Sequence, residues 1–184
     1  MEKCYWCIKY GMSQRMDRNS VCPTVFPSLE KRDRRSWGNR STIVERLEKP
    51  LKEAGWQERQ FATTIVVDGV SRESPTHKVD CFKGRVALEL EWNNKDPFYD
   101  RDLNNFRLLF DLQVIDVGII ITRCSELQNV FNALGKGSSY GNSTTHMGKL
   151  LPRIRGGSGG GCPIAVFGIS HKLYVEDVPI SGQE

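Results

Sequence analysis

Polar and apolar positions alternate in some stretches of this chain and recur every three or four residues in others. Alternation is typical of β-strands, and it is clearest in "HKVDCFKGRVALELEW", where a turn at Lys83 and Gly84 would produce a hairpin. "QFATTIVVDG" predicts a further strand that ends in an Asp-Gly turn. The apolar runs "VGIIITR" and "CPIAVFGIS" predict strands that are buried on both faces.

Spacings of three and four residues predict helices between these strands. The first is expected over residues 42–54, where Pro50 would split it into two turns. A second is predicted over "DPFYDRDLNNFRLLFDL", a third from Ser125 to Leu134, and "LLPRIR" is a short helix or an extended piece. Because strands alternate with helices, we expect the α/β class.

The length of the chain limits its domain organisation. Its 184 residues, of which 39% are hydrophobic and 26% charged, are typical of one globular domain. We therefore expect an irregular N-terminal segment over residues 1–40 and a single domain over residues 41–184. Neither a secretory signal nor a membrane-spanning run is recognised, which predicts a cytoplasmic protein.

Six cysteines are present, and their spacing is only weak evidence for a metal site. Cys4 and Cys7 form one Cys-x-x-Cys pair, to which Cys22 could add a third zinc ligand, but a lone pair of this kind is not specific. The other three lie in or beside apolar strand-like runs and are predicted to be buried, reduced thiols: Cys81, Cys124 and Cys162.

The charge of the chain is mildly basic, with a formal net charge of +4. Its distribution is more informative than its total, because no Asp or Glu occurs from Leu127 to Val175. An acid-free stretch rich in Gly, Ser and Thr suits a polyanion such as nucleic acid. It is equally typical of a solvated loop surface, so charge alone does not separate these two interpretations.

Three carboxylates lie close together in the predicted hairpin. With Lys83 and Gly84 in the turn, Asp80 would face Ala87 and share its side of the sheet with Glu89 and Glu91. Asp80 and Glu89 would then be diagonal neighbours, roughly 7–8 Å apart at Cα. Such a group is suited to a hard divalent cation such as Mg²⁺. The alternative is an exposed acidic face on an amphipathic strand.

The order of these residues resembles the PD-(D/E)xK nuclease site, in which an Asp and a Glu hold a metal ion. That site usually has Lys at the position that Glu91 occupies in this chain. In this respect the chain resembles the BamHI and BglII branch of type II restriction endonucleases, in which Glu or Gln takes that position. "PTHKVDCFKGRVALELEWNNKDPFYDRDLNNFRLLF", "GIIITR" and "GSSYGNSTTHMGKLLPRIRGG" are similar to BglII-type enzymes. The resemblance covers residues 42–169. It implies a restriction-endonuclease-like fold, with a mixed central β-sheet flanked by helices.

The resemblance also implies a reaction, the Mg²⁺-dependent hydrolysis of phosphodiester bonds in double-stranded DNA. Asp80 and Glu89 would hold Mg²⁺ together with the backbone carbonyl of Leu90. Glu91 would orient or deprotonate the attacking water. Such enzymes act as homodimers on palindromic sites, and by analogy we expect a GATC-centred site. The host would need a partner DNA methyltransferase to protect its own DNA.

Contacts to DNA are expected from polar residues after the catalytic strand and in the late Gly/Ser/Thr-rich loop. Asn can bond to adenine edges, although Asn is also common in turns. The two arginines of the second helix can equally be surface charges, and His146 is expected to be structural. The expected DNA-contacting residues are Asn93, Asn94, Arg101, Arg107, Ser139, Asn142, Ser143, Thr144, Lys149 and Arg153.

Two other functions fit the same residues. One is a structure-specific repair or junction nuclease on the same fold, which would nick DNA according to its shape. The other is a catalytically inactive DNA-binding protein, which would bind without cutting. The presence of Asp80, Glu89 and Glu91 together argues against this second alternative.

Overall fold

The computed structural model describes residues 42–174. Cys4, Cys7 and Cys22 lie outside this part of the chain, and so does the irregular segment expected over residues 1–40. The helices are α1 (Thr42–Glu53), α2 (Pro97–Asp111), α3 (Leu127–Ala133) and α4 (Met147–Arg155), with a 3₁₀ turn at His171–Leu173. The strands are β1 (Gln57–Arg59), β2 (Ala62–Val67), β3 (Val70–Pro75), β4 (Val79–Lys83), β5 (Val86–Glu91), β6 (Val117–Arg123) and β7 (Ile164–Ile169).

Five of the strands form one mixed sheet, in the order β1-β4-β5-β6-β7. β4 is antiparallel to both of its neighbours, β1 and β5, and a tight hairpin joins it to β5. β5, β6 and β7 are parallel, and the connections between them contain helices α2, α3 and α4, as parallel strands require. The predicted α/β class and the restriction-endonuclease-like arrangement are confirmed.

Helices cover both faces of this sheet. On one face, α1 and α3 contribute Ile43, Leu47, Leu127 and Phe131 to a core that also contains Trp92, the residue after β5. The opposite face packs against α2, whose buried side chains include Tyr99, Leu103, Phe106 and Leu109, and against Leu150 of α4. Because both faces are covered, side chains on either face of β5 are removed from water.

The hairpin turn lies one residue later than the sequence predicts. Lys83 pairs with Val86, so Gly84 and Arg85 are the two turn residues. Gly84 has a φ of 60°, which suits the first central position of a tight hairpin turn and favours glycine there. Phe82, and not Asp80, therefore faces Ala87. The pairing shifts by two residues, so each side chain keeps the face that was predicted for it.

A second hairpin was only half predicted. "QFATTIVVDG" does contain strand β2, and the Asp-Gly turn follows it with positive φ at both residues. The chain then returns as β3, which pairs with β2 along its whole length and forms a separate two-stranded ribbon. The sequence of β3, VSRESP, is mostly polar and carries little strand periodicity, so the pattern did not reveal it.

Three helix predictions need correction. α1 is continuous through Pro50 to Glu53, although a proline at this position removes one backbone hydrogen bond of the helix. α3 begins at Leu127 instead of Ser125, whose hydroxyl contacts His146 Nδ1 at 3.2 Å. "LLPRIR" is helical, but α4 begins earlier, at Met147. None of the helices within residues 42–174 has the length and hydrophobicity that a bilayer span requires.

Candidate active site

Asp80 and Glu89 meet where the β4–β5 ladder ends. Regular pairing stops at Cys81 and Leu88, and side chains replace the backbone partners beyond that point. The backbone N–H of Leu90 donates to Asp80 Oδ2 at 3.0 Å, and the N–H of Asp80 donates to Glu89 Oε2 at 3.3 Å. These two bonds bring the carboxyl groups of the neighbouring strands to one edge of the sheet.

The acidic side of β5 is buried and not exposed. Glu89 and Glu91 each retain only 1% of their accessible surface, because α2 packs over this face of the sheet. Asp80, on the shorter neighbouring strand, is half-buried. The alternative of an exposed acidic face is therefore wrong, since both glutamates have lost most of their hydration.

Burial is also the main reason for the electrostatic state of Glu89. The pKa of Glu89 is raised well above its ordinary value, first by burial and then by the negative charges of Asp102 and Asp80. The hydrogen bond from the N–H of Asp80 opposes this shift. A site in which negative charge is this poorly compensated would gain free energy from a bound cation.

Glu91 is held by polar groups on two sides. Asn94 Nδ2 donates to Glu91 Oε2 at 2.9 Å, and Arg101 Nη2 lies 3.6 Å from Oε1. The pKa of Glu91 is nevertheless raised to about 9, by burial and then by the nearby Asp102, while Asn94 and Arg101 act in the opposite direction.

Asp102 adds a fourth carboxyl group to the site, and it was not expected from the sequence. It lies on α2, is 1% exposed, and accepts bonds from Arg101 Nε and Nη2 at 2.9 and 2.7 Å. Its Oδ2 atom is buried without a hydrogen-bond partner. A signal was present, because Asp102 follows Tyr99 by three residues and precedes Phe106 by four, which places it on the apolar face of the helix.

The site fits a cation that is only partly enclosed by protein. Within residues 42–174, no three His, Cys, Asp or Glu side chains are arranged to hold a metal ion by themselves. Asp80 and Glu89 supply carboxylate oxygens at one point, and Arg101 is already engaged with Asp102 and Glu91. Mg²⁺ commonly binds through one or two carboxylates and completes its shell with water and phosphate, so the donor set is suitable.

The two arginines of α2 lie in different places. Arg101 is beside the carboxyl groups, with its guanidinium 4.4 Å from the centre of the Phe98 ring. Arg107 is exposed, pairs with Asp111 at 3.9 Å, and occupies the space next to Gly160, just before β7 begins. The structure therefore brings Arg101 to the site and leaves Arg107 near the opposite end of the parallel strands.

Lys149 and Arg153 lie on α4 and make ion pairs with the start of α2. Lys149 Nζ is 3.3 Å from Asp96 Oδ2, and Arg153 Nε is 2.8 Å from Asp100 Oδ1. Asp96 directly precedes α2, but its side chain makes no capping bond to the helix. These pairs fasten α4 to α2 beside the site.

Residues 136–146, here called the polar loop, connect α3 to α4 and contact the segment that follows β5. The N–H of Thr145 donates to Asn94 O at 2.8 Å, and the N–H of Asp96 donates to Ser143 O at 3.2 Å. Lys95 and Thr144 form a β-bridge between these two bonds. The polar loop is thus attached to the segment that follows Glu91.

Exposure differs among the polar side chains that were expected to contact DNA here. Four of them are exposed: Asn93, Ser139, Asn142 and Ser143. Asn94 is exposed as a residue but its amide is bonded to Glu91. Thr144 is half-buried, and its hydroxyl contacts Arg123 and Gly141 O. The bonds between residues 94–96 and the polar loop bring Asn94, Ser143 and Thr144 together beyond the end of β5.

His146, at the end of the polar loop, is half-buried next to Ser125. Burial is the main cause that lowers its pKa, and the positive charges of Arg123 and Lys149 act in the same direction. It lies outside the group of carboxyl side chains. Arg123 itself was missed in the sequence, although an arginine that ends the apolar run "VGIIITR" is a recognisable signal.

Comparison with known proteins gives a match to one family. No curated protein matches the chain. The family model described as restriction endonuclease BglII/BglIII matches residues 25–169, which include every strand of the central sheet and all of the candidate site residues. A restriction endonuclease is a nuclease that acts on DNA. Because the match spans most of the sequence, the chain belongs to the restriction endonuclease BglII/BglIII family.

Proposed function

We propose that this protein is a type II restriction endonuclease that hydrolyses phosphodiester bonds of double-stranded DNA at a palindromic site in a Mg²⁺-dependent reaction. The observation that carries the proposal is the contact of Asp80 with Glu89 and the backbone of Leu90, next to buried Glu91. Asp80, Glu89 and Glu91 are the carboxylates whose order in the sequence resembles the nuclease site, and they lie at one edge of the sheet.

Asp80 and Glu89 would hold the Mg²⁺ ion, with the carbonyl of Leu90 as a third ligand. The N–H and C=O of one strand residue point to the same side, and the N–H of Leu90 already points to Asp80. When bound, the ion supplies positive charge that acidifies a water molecule and stabilises charge on the phosphate. By holding the ion in place, the carboxylates of Asp80 and Glu89 would also determine where the cleaved phosphate binds.

Glu91 would orient the attacking water and accept its proton. Asn94 and Arg101 contact one oxygen of Glu91 each, which limits the orientations of this carboxyl group. Because the pKa of Glu91 is about 9 in the metal-free protein, its carboxyl retains a proton at neutral pH. Positive charge bound beside Glu91 would lower this pKa, so the carboxyl group would release its proton to solvent and could then accept one from the attacking water.

The surroundings of the site support binding of a duplex. The end of β5 that carries Glu91 is surrounded by residues 93–96, by the polar loop and by the N-terminal ends of α2 and α4. We propose that Asn93, Asn94 and the loop residues read base edges, and that Arg101, Lys149 and Arg153 contact phosphates. Arg107 would contact only a duplex that extends around the molecule.

The remaining features of the proposal follow from the family. Residues 41–184 would form a single nuclease domain, two copies of which act as a homodimer on a palindromic and GATC-centred site. The protein would work in the cytoplasm beside a DNA methyltransferase that protects the host. Each of these features can be tested by a separate measurement, and DNA cleavage is the first of them.

The decisive experiment is digestion of unmethylated plasmid and phage DNA by the purified chain, with Mg²⁺ or with EDTA. We expect discrete fragments that require Mg²⁺, and sequencing of their ends gives the recognition site. Glu89→Gln should abolish the fragments, while Glu73→Gln, an exposed residue of β3, should leave them unchanged. Nicking that follows DNA shape would indicate a structure-specific nuclease, and binding without cutting would contradict the proposed activity.

A further inference from the structure

Arg123 is a buried cation that the proposed reaction does not use. It ends β6, next to the parallel strand that carries Glu91, and only 1% of it is exposed. Among the ion pairs within residues 42–174, none joins Arg123 to a carboxylate. A buried guanidinium without a counter-ion is unfavourable for folding unless its N–H groups are well bonded.

The terminal N–H groups of Arg123 are bonded to the polar loop and to the helix before it, whereas its Nε–H is buried without a hydrogen-bond partner. Arg123 Nη2 donates to Tyr140 O and to Thr144 Oγ1, both at 2.9 Å. Nη1 donates to Gln128 Oε1 of α3 at 3.4 Å, and Gln128 in turn donates to Gly137 O at 3.2 Å. Arg123 thus links a rigid strand directly or indirectly to three positions of the loop.

Aromatic packing completes this attachment. The guanidinium carbon of Arg123 lies 5.7 Å from the centre of the Phe131 ring, and Phe131 stacks on Tyr140 with ring centres 4.0 Å apart. Tyr140 is therefore held at its carbonyl by Arg123 and at its ring by Phe131. Most residues of the polar loop are Gly, Ser, Thr or Asn, which have little apolar surface to bury, so its order depends on these contacts and on its bonds to residues 94–96.

The same loop position is connected to the catalytic strand. Thr144, which accepts a bond from Arg123, forms the β-bridge with Lys95, and Thr145 donates to Asn94 O. Asn94 contacts Glu91. A continuous series of contacts therefore joins Arg123, the polar loop and the water-orienting carboxyl group.

We propose that Arg123 is a positioning residue that fixes the polar loop in the conformation needed to recognise a specific DNA sequence. The inference rests on the proposed function, since it assigns a role within sequence recognition. Arg123 does not touch DNA in this role. Nη2 donates to Tyr140 and Thr144 while Nη1 donates to Gln128, and a single lysine ammonium cannot reproduce this planar pair of donor nitrogens, the guanidinium fork. Loss of the fork leaves the fold in place and loosens the loop.

Arg123→Lys tests the role because it keeps the positive charge and removes the fork. Gln128→Met is a second variant that breaks the indirect link to Gly137 and retains Arg123, should the lysine variant fail to fold. Arg72→Lys is the matched control, because Arg72 is exposed on the β2–β3 ribbon. All are measured as the full chain.

The first measurement needs no DNA and is amide hydrogen exchange of the polar loop. We expect exchange at the amides of Tyr140 and Thr145 to be faster by about tenfold or more in Arg123→Lys, with exchange in β5 and β6 unchanged. Gln128→Met should show a smaller increase, and Arg72→Lys none. Unchanged loop exchange in both variants would overturn the inference, whether or not the protein cuts DNA.

The second measurement compares binding, in EDTA, of the duplex that the wild-type protein cuts with binding of the same duplex after one base-pair change. We expect Arg123→Lys to weaken cognate binding by about tenfold or more and to leave binding of the altered duplex nearly unchanged. An equal loss for both duplexes would show that Arg123 serves only general stability. Absence of any cleavage by the wild-type protein would instead contradict the proposed function, and the exchange measurement would still decide the role of Arg123.

Discussion

Four carboxyl groups are packed beside a single arginine at the edge of the central sheet. Asp102 and Glu91 contact Arg101, whereas Asp80 and Glu89 contact each other's strand. Burial and mutual repulsion raise the pKa values of Glu89, Glu91 and Asp102. Without a metal ion, the packing of these carboxyl groups is electrostatically unfavourable, as is typical of functional sites.

The first prediction concerns pH and the stability of the metal-free protein. The pKa of Glu91 is about 9 in the fold against 4.5 ordinarily, so between these values the folded state keeps a proton that the unfolded state loses. This stabilisation is complete below about pH 4.5 and is lost as pH rises through about 9. The glutamine side chain of Glu91→Gln has no such proton to lose. In EDTA at pH 9, the unfolding free energy of this variant should therefore exceed that of the wild type by roughly 1–3 kcal/mol.

Urea unfolding in EDTA at several pH values measures this effect. Glu73→Gln is the control, since an exposed carboxyl group should leave the pH profile unchanged. An identical fall of stability with pH in Glu91→Gln and in the wild type would contradict the prediction.

The second prediction concerns the contact between Asn94 and Glu91. Asn94→Asp has nearly the same shape but replaces the donor with a carboxylate that faces Glu91 Oε2. We expect kcat for DNA cleavage to fall by about 10–100-fold, and the unfolding free energy to fall by about 1–3 kcal/mol because buried Glu91 loses a hydrogen-bond donor. Asn104→Asp on the exposed side of α2 is the matched control, and a kcat equal to that of the wild type would refute the contact's role.

At the scale of elements, the site depends on how closely α2 approaches the sheet. Gly118 of β6 has no room for a side chain, because an added Cβ would overlap the ring of Phe106. Phe106 is completely buried, so its ring has little freedom to move aside. This close contact sets the height of α2 above β5 and hence the positions of Arg101 and Asp102.

The third prediction follows from this packing. Gly118→Ala should push α2 away from the sheet and destabilise the protein by about 1–3 kcal/mol, as overpacking of a core does. Cleavage activity at a temperature where the variant remains folded should also fall, because Arg101 and Asp102 move with the helix. Chemical unfolding and cleavage assays measure the two effects. Combination with Phe106→Leu should restore part of the stability, and no change in stability with Gly118→Ala would contradict the close approach.

At the scale of the whole molecule, the parallel strands β5 and β6 end on the same side as the polar loop and the beginnings of α2 and α4. Ligands bind at the carboxyl ends of strands in many open α/β sheets, and here this end carries both the carboxyl cluster and exposed polar side chains. The β2–β3 ribbon projects separately, with Val66, Val67 and Val70 more than half exposed.

The fourth prediction is that a divalent cation stabilises the entire fold through this one site. Ca²⁺ or Mg²⁺ at about 100 times its dissociation constant should add about 2.7 kcal/mol, which corresponds to a rise in Tm of about 5 °C or more for a chain of this length. Glu89→Gln should remove most of the shift, and Glu73→Gln should retain it. A calorimetric scan with and without the cation decides between these outcomes, and an equal shift in all three proteins would place the effect elsewhere.

Local patterns in the sequence determined the elements and the identity of the acidic residues. Alternation along β4 and β5 assigned Asp80, Glu89 and Glu91 to one face, and that assignment holds although the turn lies at Gly84 and Arg85. The reason is that side chains alternate with a period of two, so a shift of two residues in pairing leaves every face unchanged. Strand β3 and the starts of α3 and α4 carried weaker local signals and were missed or misplaced.

Only the tertiary structure decided what surrounds those acids. Burial of Glu89 and Glu91 depends on α2, which the chain places over β5 through packing between residues distant in sequence. The same packing brings in Asp102 and Arg101, and the parallel pairing of β5 with β6 brings Arg123 and the polar loop beside Asn94. The sequence by itself determined which residues can do chemistry, and the long-range packing of helices on the sheet determined their hydration, charge and partners.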